Sequence, residues 1–262
     1  MYSKEHKEYL SKIRRNKIFV VILQILLLSF LIGLWEMAAH YKWINTFVYS
    51  SPSKILNTII NLHNTNNLYQ HIFTTVYETF LSFSLATIIG VLIATILWWN
   101  KTLSKILDPF LTVLNSLPKV ALGPIIIIWM GANIKSIIFM AILVSVIITI
   151  MSTYQAFINT DSNKIKLLKS FGANKFQILT KLIFPSNYSN IISMLKINVS
   201  MCLIGVIMGE LLVSKQGIGY LIMYGSQIFN LSLVMSGIIL LALIATIMYY
   251  IVYYIEKLVV KN

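Results

Sequence analysis

The stretch NTDSNKIKLLKSFGANKFQILTKLIFPSNYSN, residues Asn159–Asn190, interrupts an otherwise apolar chain between two long hydrophobic runs. Before Gly172 the apolar residues Ile165, Leu168 and Phe171 recur every three positions, and after it Phe176, Leu179, Leu182 and Ile183 keep helical spacing until Pro185. The pattern predicts a helix, a glycine turn and a second helix that Pro185 ends. The stretch is too polar to cross a bilayer, so two amphipathic helices held outside the lipid make a docking surface for another protein. Periodicity alone leaves a second reading open, an amphipathic pair lying on anionic lipid, which the lysines favour.

The rest of the chain explains why this loop stands apart. Of 262 residues, 58% are hydrophobic and 11% charged, far below the roughly 25% charged of soluble domains. This is the composition of an integral membrane protein. The net charge of +13 is spread through loops between apolar runs and is not gathered on a soluble domain with aromatic platforms, which argues against nucleic acid as a partner. The single Cys202 lies inside an apolar run, and His6, His40, His63 and His71 fall in loops or at run ends, so no disulfide, metal site or catalytic constellation is expected. The chain also lacks a Gly-x-x-x-x-Gly-Lys-Ser/Thr phosphate cradle, so it is expected to need no cofactor and to hydrolyse no ATP itself.

A bilayer core needs about 20 apolar residues per helix. Ile18–Ala39, Ile72–Trp99, Ile134–Ile158, Ile191–Val213 and Leu233–Ile255 meet that length. Leu103–Met130 is apolar but carries Pro109, Pro118 and Pro124, each of which tends to kink or break a helix; it counts as a sixth, broken span, expected to face the protein interior and line a pathway. The first run has a basic start, like a cleavable signal. It is longer than a signal core, and Met37-Ala38-Ala39 is a poor cleavage site, so an uncleaved helix is expected. Lysines and arginines concentrate in the amino-terminal tail, after the second span, in the 159–190 loop and in the carboxy-terminal tail, whereas the intervening loops hold only Lys42, Lys54, Lys135 and Lys215. The expectation is an all-α polytopic membrane protein: one transmembrane domain over residues 1–262, six transmembrane helices, both termini cytoplasmic, a cytoplasmic tail at 1–17 and a cytoplasmic loop at 159–190 between spans four and five. On the outer side, Ser51-Pro52 predicts the start of a short amphipathic helix along the membrane surface, and Gln216-Gly217-Ile218-Gly219-Tyr220 predicts a turn.

This order of parts resembles the permease subunit of binding-protein-dependent ATP-binding-cassette importers. The family's mark is a Glu-Ala-Ala triplet, a following Gly and, after nine intervening residues, Ile-x-Leu-Pro; here those positions read Lys166-Leu167-Leu168, Gly172 and Leu182-Ile183-Phe184-Pro185. Gly and Pro match at the required spacing. Lys166 replaces the usual acid and two leucines replace two alanines, which alters the docking surface. Leu34-Trp35-Glu36, Ser51-Pro52-Ser53, Ser116-Leu117-Pro118-Lys119-Val120-Ala121-Leu122, Trp129-Met130-Gly131, Gly209-Glu210-Leu211-Leu212 and Gly217-Ile218-Gly219-Tyr220-Leu221-Ile222 are similar to the subgroup serving nitrate, sulfonate, taurine and thiamine-precursor uptake. Glu78 departs from it, at a place where relatives often carry Arg.

The resemblance implies a type I importer permease fold, a permease homodimer in membrane lipid, an ATP-binding-cassette ATPase dimer that binds the ATP, and an extracytoplasmic solute-binding protein. It implies ATPase docking through Lys166, Leu167, Leu168, Ser170, Phe171, Gly172, Ala173, Leu182 and Pro185, and a translocation path or gate that includes Pro118, Lys119, Pro124, Gly209 and Glu210. Lys119, inside the broken span, either attracts an anionic substrate or snorkels to a vestibule or pairs with a carbonyl freed by a proline. Glu210 either contributes to a gate or reaches headgroups and water, and Gly209 beside it allows close helix contact. The rivals to an importer are an ion-gradient-driven secondary carrier and a membrane scaffold. Inverted repeats and acids deep in the spans, which a carrier would show, are not evident: the acids within spans are Glu36, Glu78, Asp108 and Glu210, mostly near the ends.

Overall fold

The computed structural model describes residues 4–65 and 67–259, which contain helices and no strands. In chain order they are α1 (Lys4–His40), α2 (Thr46–Tyr49), α3 (Pro52–Asn64), α4 (Asn67–Trp99), α5 (Lys101–Ser116), a 3₁₀ turn (Lys119–Leu122), α6 (Gly123–Met130), α7 (Ile134–Ile158), α8 (Ser162–Ser170), α9 (Lys175–Ile178), a π turn (Leu179–Ile183), α10 (Phe184–Ser186), α11 (Tyr188–Val213), α12 (Ile218–Gln227) and α13 (Leu231–Val259). Among the described residues, five helices, α1, α4, α7, α11 and α13, are long and apolar enough to cross a membrane, and α5 with α6 makes a sixth crossing if a bent pair counts as one span. The helices overrun the apolar runs because the flanking Lys, Gln and Glu residues propagate a helix as readily as leucine.

The broken span bends by 87°, and its three prolines act differently. Pro109 stays inside α5, and Pro124 sits in the first turn of α6, where a missing N–H costs nothing. The break falls at Leu117-Pro118: Leu117 is pushed to an extended conformation (φ −65°, ψ 139°), as expected for the residue before proline. The expectation that this span faces the interior of the chain is met only in its second half. Of α5 only Ser104 is buried, and Phe110 and Val113 are exposed. Within one copy α5 lies on the outside of the bundle, whereas α6 buries Gly123 and Ile126 against α7 and α11 and exposes Ile128 and Trp129.

The centre of the bundle is α7, packed between α4 and α11. Small residues bring these backbones together: a Cβ added at Gly90 would overlap Thr149, one at Gly205 would overlap the Ala141 backbone, and one at Gly209 would come within 2.8 Å of Ile137. Hydroxyls buried at these crossings bond within their own helices, Thr79 to the Thr75 carbonyl at 2.7 Å, Ser145 to Ala141 at 2.8 Å and Thr149 to Ser145 at 2.9 Å, which satisfies them without water.

A second layer joins α3, α12 and α13, where Ile218, Leu240, Ile244 and Leu68 form a cluster covered by Ile59 and Leu62. Ser51 caps α3 by accepting from the Lys54 N–H at 3.3 Å, and Ile55 is buried while Ile60 stays exposed, so α3 is amphipathic as its sequence predicts. At the other end of the bundle Lys196 of α11 pairs with Glu256 of α13 at 2.7 Å. Helix α1 stands off the rest: its apolar residues from Ile18 to Leu34 are exposed, and Glu36 ties its end to α3 by accepting from the Ser53 N–H at 3.0 Å.

Candidate functional site

The 159–190 loop is built from consecutive capping signals. The Asp161 side chain accepts from the Asn163 N–H at 2.8 Å and starts α8. Past Ser170 the chain closes in a Schellman turn: the Gly172 N–H donates to the Lys169 carbonyl at 2.9 Å and the Ala173 N–H to the Leu168 carbonyl at 3.0 Å, with Gly172 at φ +79°. Nothing lies within 4 Å of where a Gly172 Cβ would be, so the glycine serves backbone conformation and not clearance. Two residues later Asn174 and Gln177 form a reciprocal capping box that starts α9.

These turns give the loop two apolar faces. Ile165, Leu168, Ala173 and Leu182 pack inward onto Phe157, Ile178, Leu179 and Ile183, which anchors the loop to the end of α7. Leu167, Phe171 and Phe176 point the other way, at 56%, 78% and 62% exposure. Phe171 and Phe176 thus depart from the single face that spacing predicts, because the glycine turn reorients the chain between them. Lys166, Ser170 and Gly172 share the exposed side. Pro185 also departs from expectation: the second helix widens through the π turn and continues to Ser186, and the chain bends at Asn187, whose side chain donates to the Ile183 carbonyl at 2.9 Å.

At the opposite end of the bundle Glu210 is 1% exposed. Its Oε1 accepts from the Thr75 hydroxyl at 2.6 Å and its Oε2 from the Gly219 N–H at 2.6 Å. Thr75 in turn accepts from the Ile218 N–H at 2.9 Å, and His71 Nδ1 accepts from the Gly217 N–H at 3.0 Å. The turn between α11 and α12 is thereby sewn to α4. Gly217 has φ +100°, and a Cβ on it would overlap the Glu210 carboxyl, so this glycine answers both conformation and space. Glu210 reaches neither headgroups nor water. Glu78 lies beside it, 2% exposed, with its Oε2 unpartnered.

The five residues expected along a path do not form one cluster. Gly209 and Glu210 face α7 and α4, whereas Pro118 and Lys119 lie at the bend between α5 and α6, where the Lys119 ammonium approaches Asn115 Oδ1 at 3.3 Å. Pro124 follows Gly123, whose Cβ would press on Leu212 of α11 at 2.7 Å.

The model of the family described as "Binding-protein-dependent transport system inner membrane component" matches residues 86–261, which takes in the broken span, the loop, Glu210 and the last three unbroken spans. The chain belongs to this family. It is a multi-pass protein of the bacterial inner membrane and a transmembrane importer permease subunit. It is 26% identical over 190 residues to the formylaminopyrimidine transport permease protein of Halalkalibacterium halodurans, covering 72% of this chain and 75% of that one. It is 23% identical over 230 residues to the taurine transport system permease protein of Escherichia coli, covering 86% and 84%. Among solved structures it superposes with TM-score 0.65 and 15% identity on a chain of a bacterial ABC transporter involved in the import of the acidic polysaccharide alginate, covering 95% of this chain and 98% of that one.

Two features of this permease lay outside what spacing alone conveys. The caps Asp161, Asn174 and Gln177 were legible as an Asx residue before a helical run, with Gln at the third helical position. The partners of Glu210 were not, since Thr75 is 135 positions away.

Proposed function

We propose that this subunit works as a homodimer whose 159–190 loops dock on an ATP-binding-cassette ATPase dimer in the cytoplasm, while a solute-binding protein delivers cargo on the opposite side. The observation that carries the docking is the Schellman turn at Gly172, which anchors the loop through Leu168 and Ala173 and leaves Leu167, Phe171 and Phe176 exposed on a rigid support. Exposed aromatic anchors on a fixed scaffold are what a protein partner buries. Lys166, at the usual position of an acid, makes this face basic and calls for an acidic contact on the ATPase. ATP would be bound by the partner alone.

The break at Pro118 supports a second copy. Backbone groups freed at membrane depth need protein or a water-filled path around them, and within one copy α5 is left uncovered. Pairing across α5 and α6 places Pro118, Lys119 and Pro124 along the path between subunits, whereas Gly209 and Glu210 hold the outer end of each subunit together and act on a gate only through that frame. Permeases named for formylaminopyrimidine, taurine and aliphatic sulfonate transport are among the relatives. The cargo class we assign is a small organic or inorganic anion, such as a sulfonate, taurine or nitrate, or a thiamine precursor.

The test is co-expression with the ATPase and co-purification of wild type and Gly172→Pro, since proline's φ near −65° cannot meet the +79° observed at Gly172. Loss of the complex in a mutant that still inserts supports docking at this loop. Equal recovery with both, or no ATPase with the wild type, refutes it.

A further inference from the structure

A cavity of about 640 Å³ lies between the loop and the ends of the spans, and the function described above leaves it unused. Five separate elements close it: the end of α4, the first turns of α5, the end of α7, and the helices α8 and α9. Lys101 and Lys105 from α5, Lys169 from α8 and Lys175 from α9 line it, and no Asp or Glu does. Four cations brought together with no carboxylate repel one another, so the cavity is electrostatically incomplete by itself. Lys175 is steadied there by donating to the Trp99 carbonyl and by lying over the Trp98 and Trp99 rings, at 5.8 and 5.2 Å from their centroids. On the inner wall the hydroxyls of Ser104 and Tyr154 are hydrogen-bonded to each other. Such a pair spends one O–H internally and leaves the other free to donate.

The remaining wall is apolar. Leu97 and Trp98 end one membrane helix, Phe157 and Ile158 end another, and Ile158 is exposed beside the cavity. A free anion would use the lysines and the hydroxyl but would gain nothing from these side chains. An amphiphile with a phosphate at headgroup depth uses both. We propose that this cavity is a binding site for an acidic phospholipid, with its phosphate among Lys101, Lys105, Lys169 and Lys175 and its first methylenes along Trp98 and Ile158. Because one side of the cavity is the loop itself, the bound lipid braces α8 and α9 against the spans. The assignment to the cytoplasmic leaflet rests on the orientation proposed above.

The test uses the full chain, co-purified with its ATPase in detergent and titrated with phosphatidylglycerol or phosphatidylcholine under native mass spectrometry. Variants are made on α5, outside the docking face. Wild type should retain phosphatidylglycerol at concentrations where phosphatidylcholine leaves no adduct. Lys101→Gln with Lys105→Gln should raise the half-saturating phosphatidylglycerol concentration about thirty-fold, from roughly fivefold per lysine, and Lys101→Arg with Lys105→Arg should keep it near wild type. Equal binding of the two lipids, or an unchanged titration in the glutamine variant, overturns the proposal. Displacement of the lipid by millimolar inorganic phosphate also overturns it and assigns the cavity to a free anion. Lysine-dependent lipid binding by a chain that never retains the ATPase supports the lipid site and refutes only the docking.

Discussion

Replacing Glu78 by glutamine should stabilise this permease, although it removes a native carboxyl from its core. Glu78 and Glu210 are both almost fully buried and lie beside each other. Glu210 is served by Thr75 and Gly219, whereas Glu78 Oε2 has no partner. Two buried carboxyls side by side cannot both ionise without strong repulsion, and a buried polar atom left unbonded costs about 1–3 kcal/mol. Glutamine stays neutral at every pH and offers an N–H to the Glu210 carboxylate. A gain of about 1–3 kcal/mol, at roughly 2–4 °C per kcal/mol for a chain of this size, raises the apparent midpoint by about 2–12 °C. Glu210→Gln should move it the opposite way, because it weakens charge-assisted bonds from the Thr75 hydroxyl and the Gly219 N–H together. The assay is recovery of monodisperse protein by fluorescence-detected size exclusion after heating in detergent. A Glu78→Gln midpoint lowered as far as that of Glu210→Gln would refute the reasoning and make the Glu78 carboxyl a required part of the knot.

Thr75→Val should lower the same midpoint by the equivalent of about 2–3 kcal/mol, since one hydroxyl is lost to both Glu210 and Ile218; Thr79→Val, whose hydroxyl bonds only its own helix, should stay within about 1 kcal/mol. Gly217→Ala should prevent recovery of folded protein altogether, because it adds a left-handed alanine and an overlap with the Glu210 carboxyl at one place. Phe171→Ser with Phe176→Ser should leave the heating midpoint unchanged within about 0.5 kcal/mol and reduce ATPase co-purification at least tenfold. Leu168→Ala, on the inward face of α8, should lower the midpoint first.

The spans were legible because lipid imposes a length and an apolar composition that few other constraints imitate. The loop was legible for the converse reason, being the polar stretch with helical spacing. What spacing missed in the loop was the direction of Phe171 and Phe176. A period of three marks a stripe but does not say which of two apolar stripes meets the bundle, and the Schellman turn decides that by rotating α9 relative to α8. The prolines show the same limit: Pro109, Pro118 and Pro124 carry one chemical signal each, yet only the backbone around Pro118 breaks. The Gly217-Ile218-Gly219 turn is weak as a motif, and its meaning appears once its N–H groups are seen against His71, Thr75 and Glu210.

By itself, then, the sequence determined that this protein crosses a membrane several times, where it crosses, and where a helix-glycine-helix loop stands outside the lipid. Hydropathy, helical period and proline or glycine geometry act over a turn or two of helix, and a single chain segment carries them whole. Only the tertiary structure decided which face of the loop is free, that the first half of the broken span lies on the outside of one copy, that Glu78 lies beside Glu210, and that four lysines from three helices share one cavity. Those relations join residues tens to more than a hundred positions apart, and their energies depend on distance and on exclusion of water, which exist only after the helices have packed.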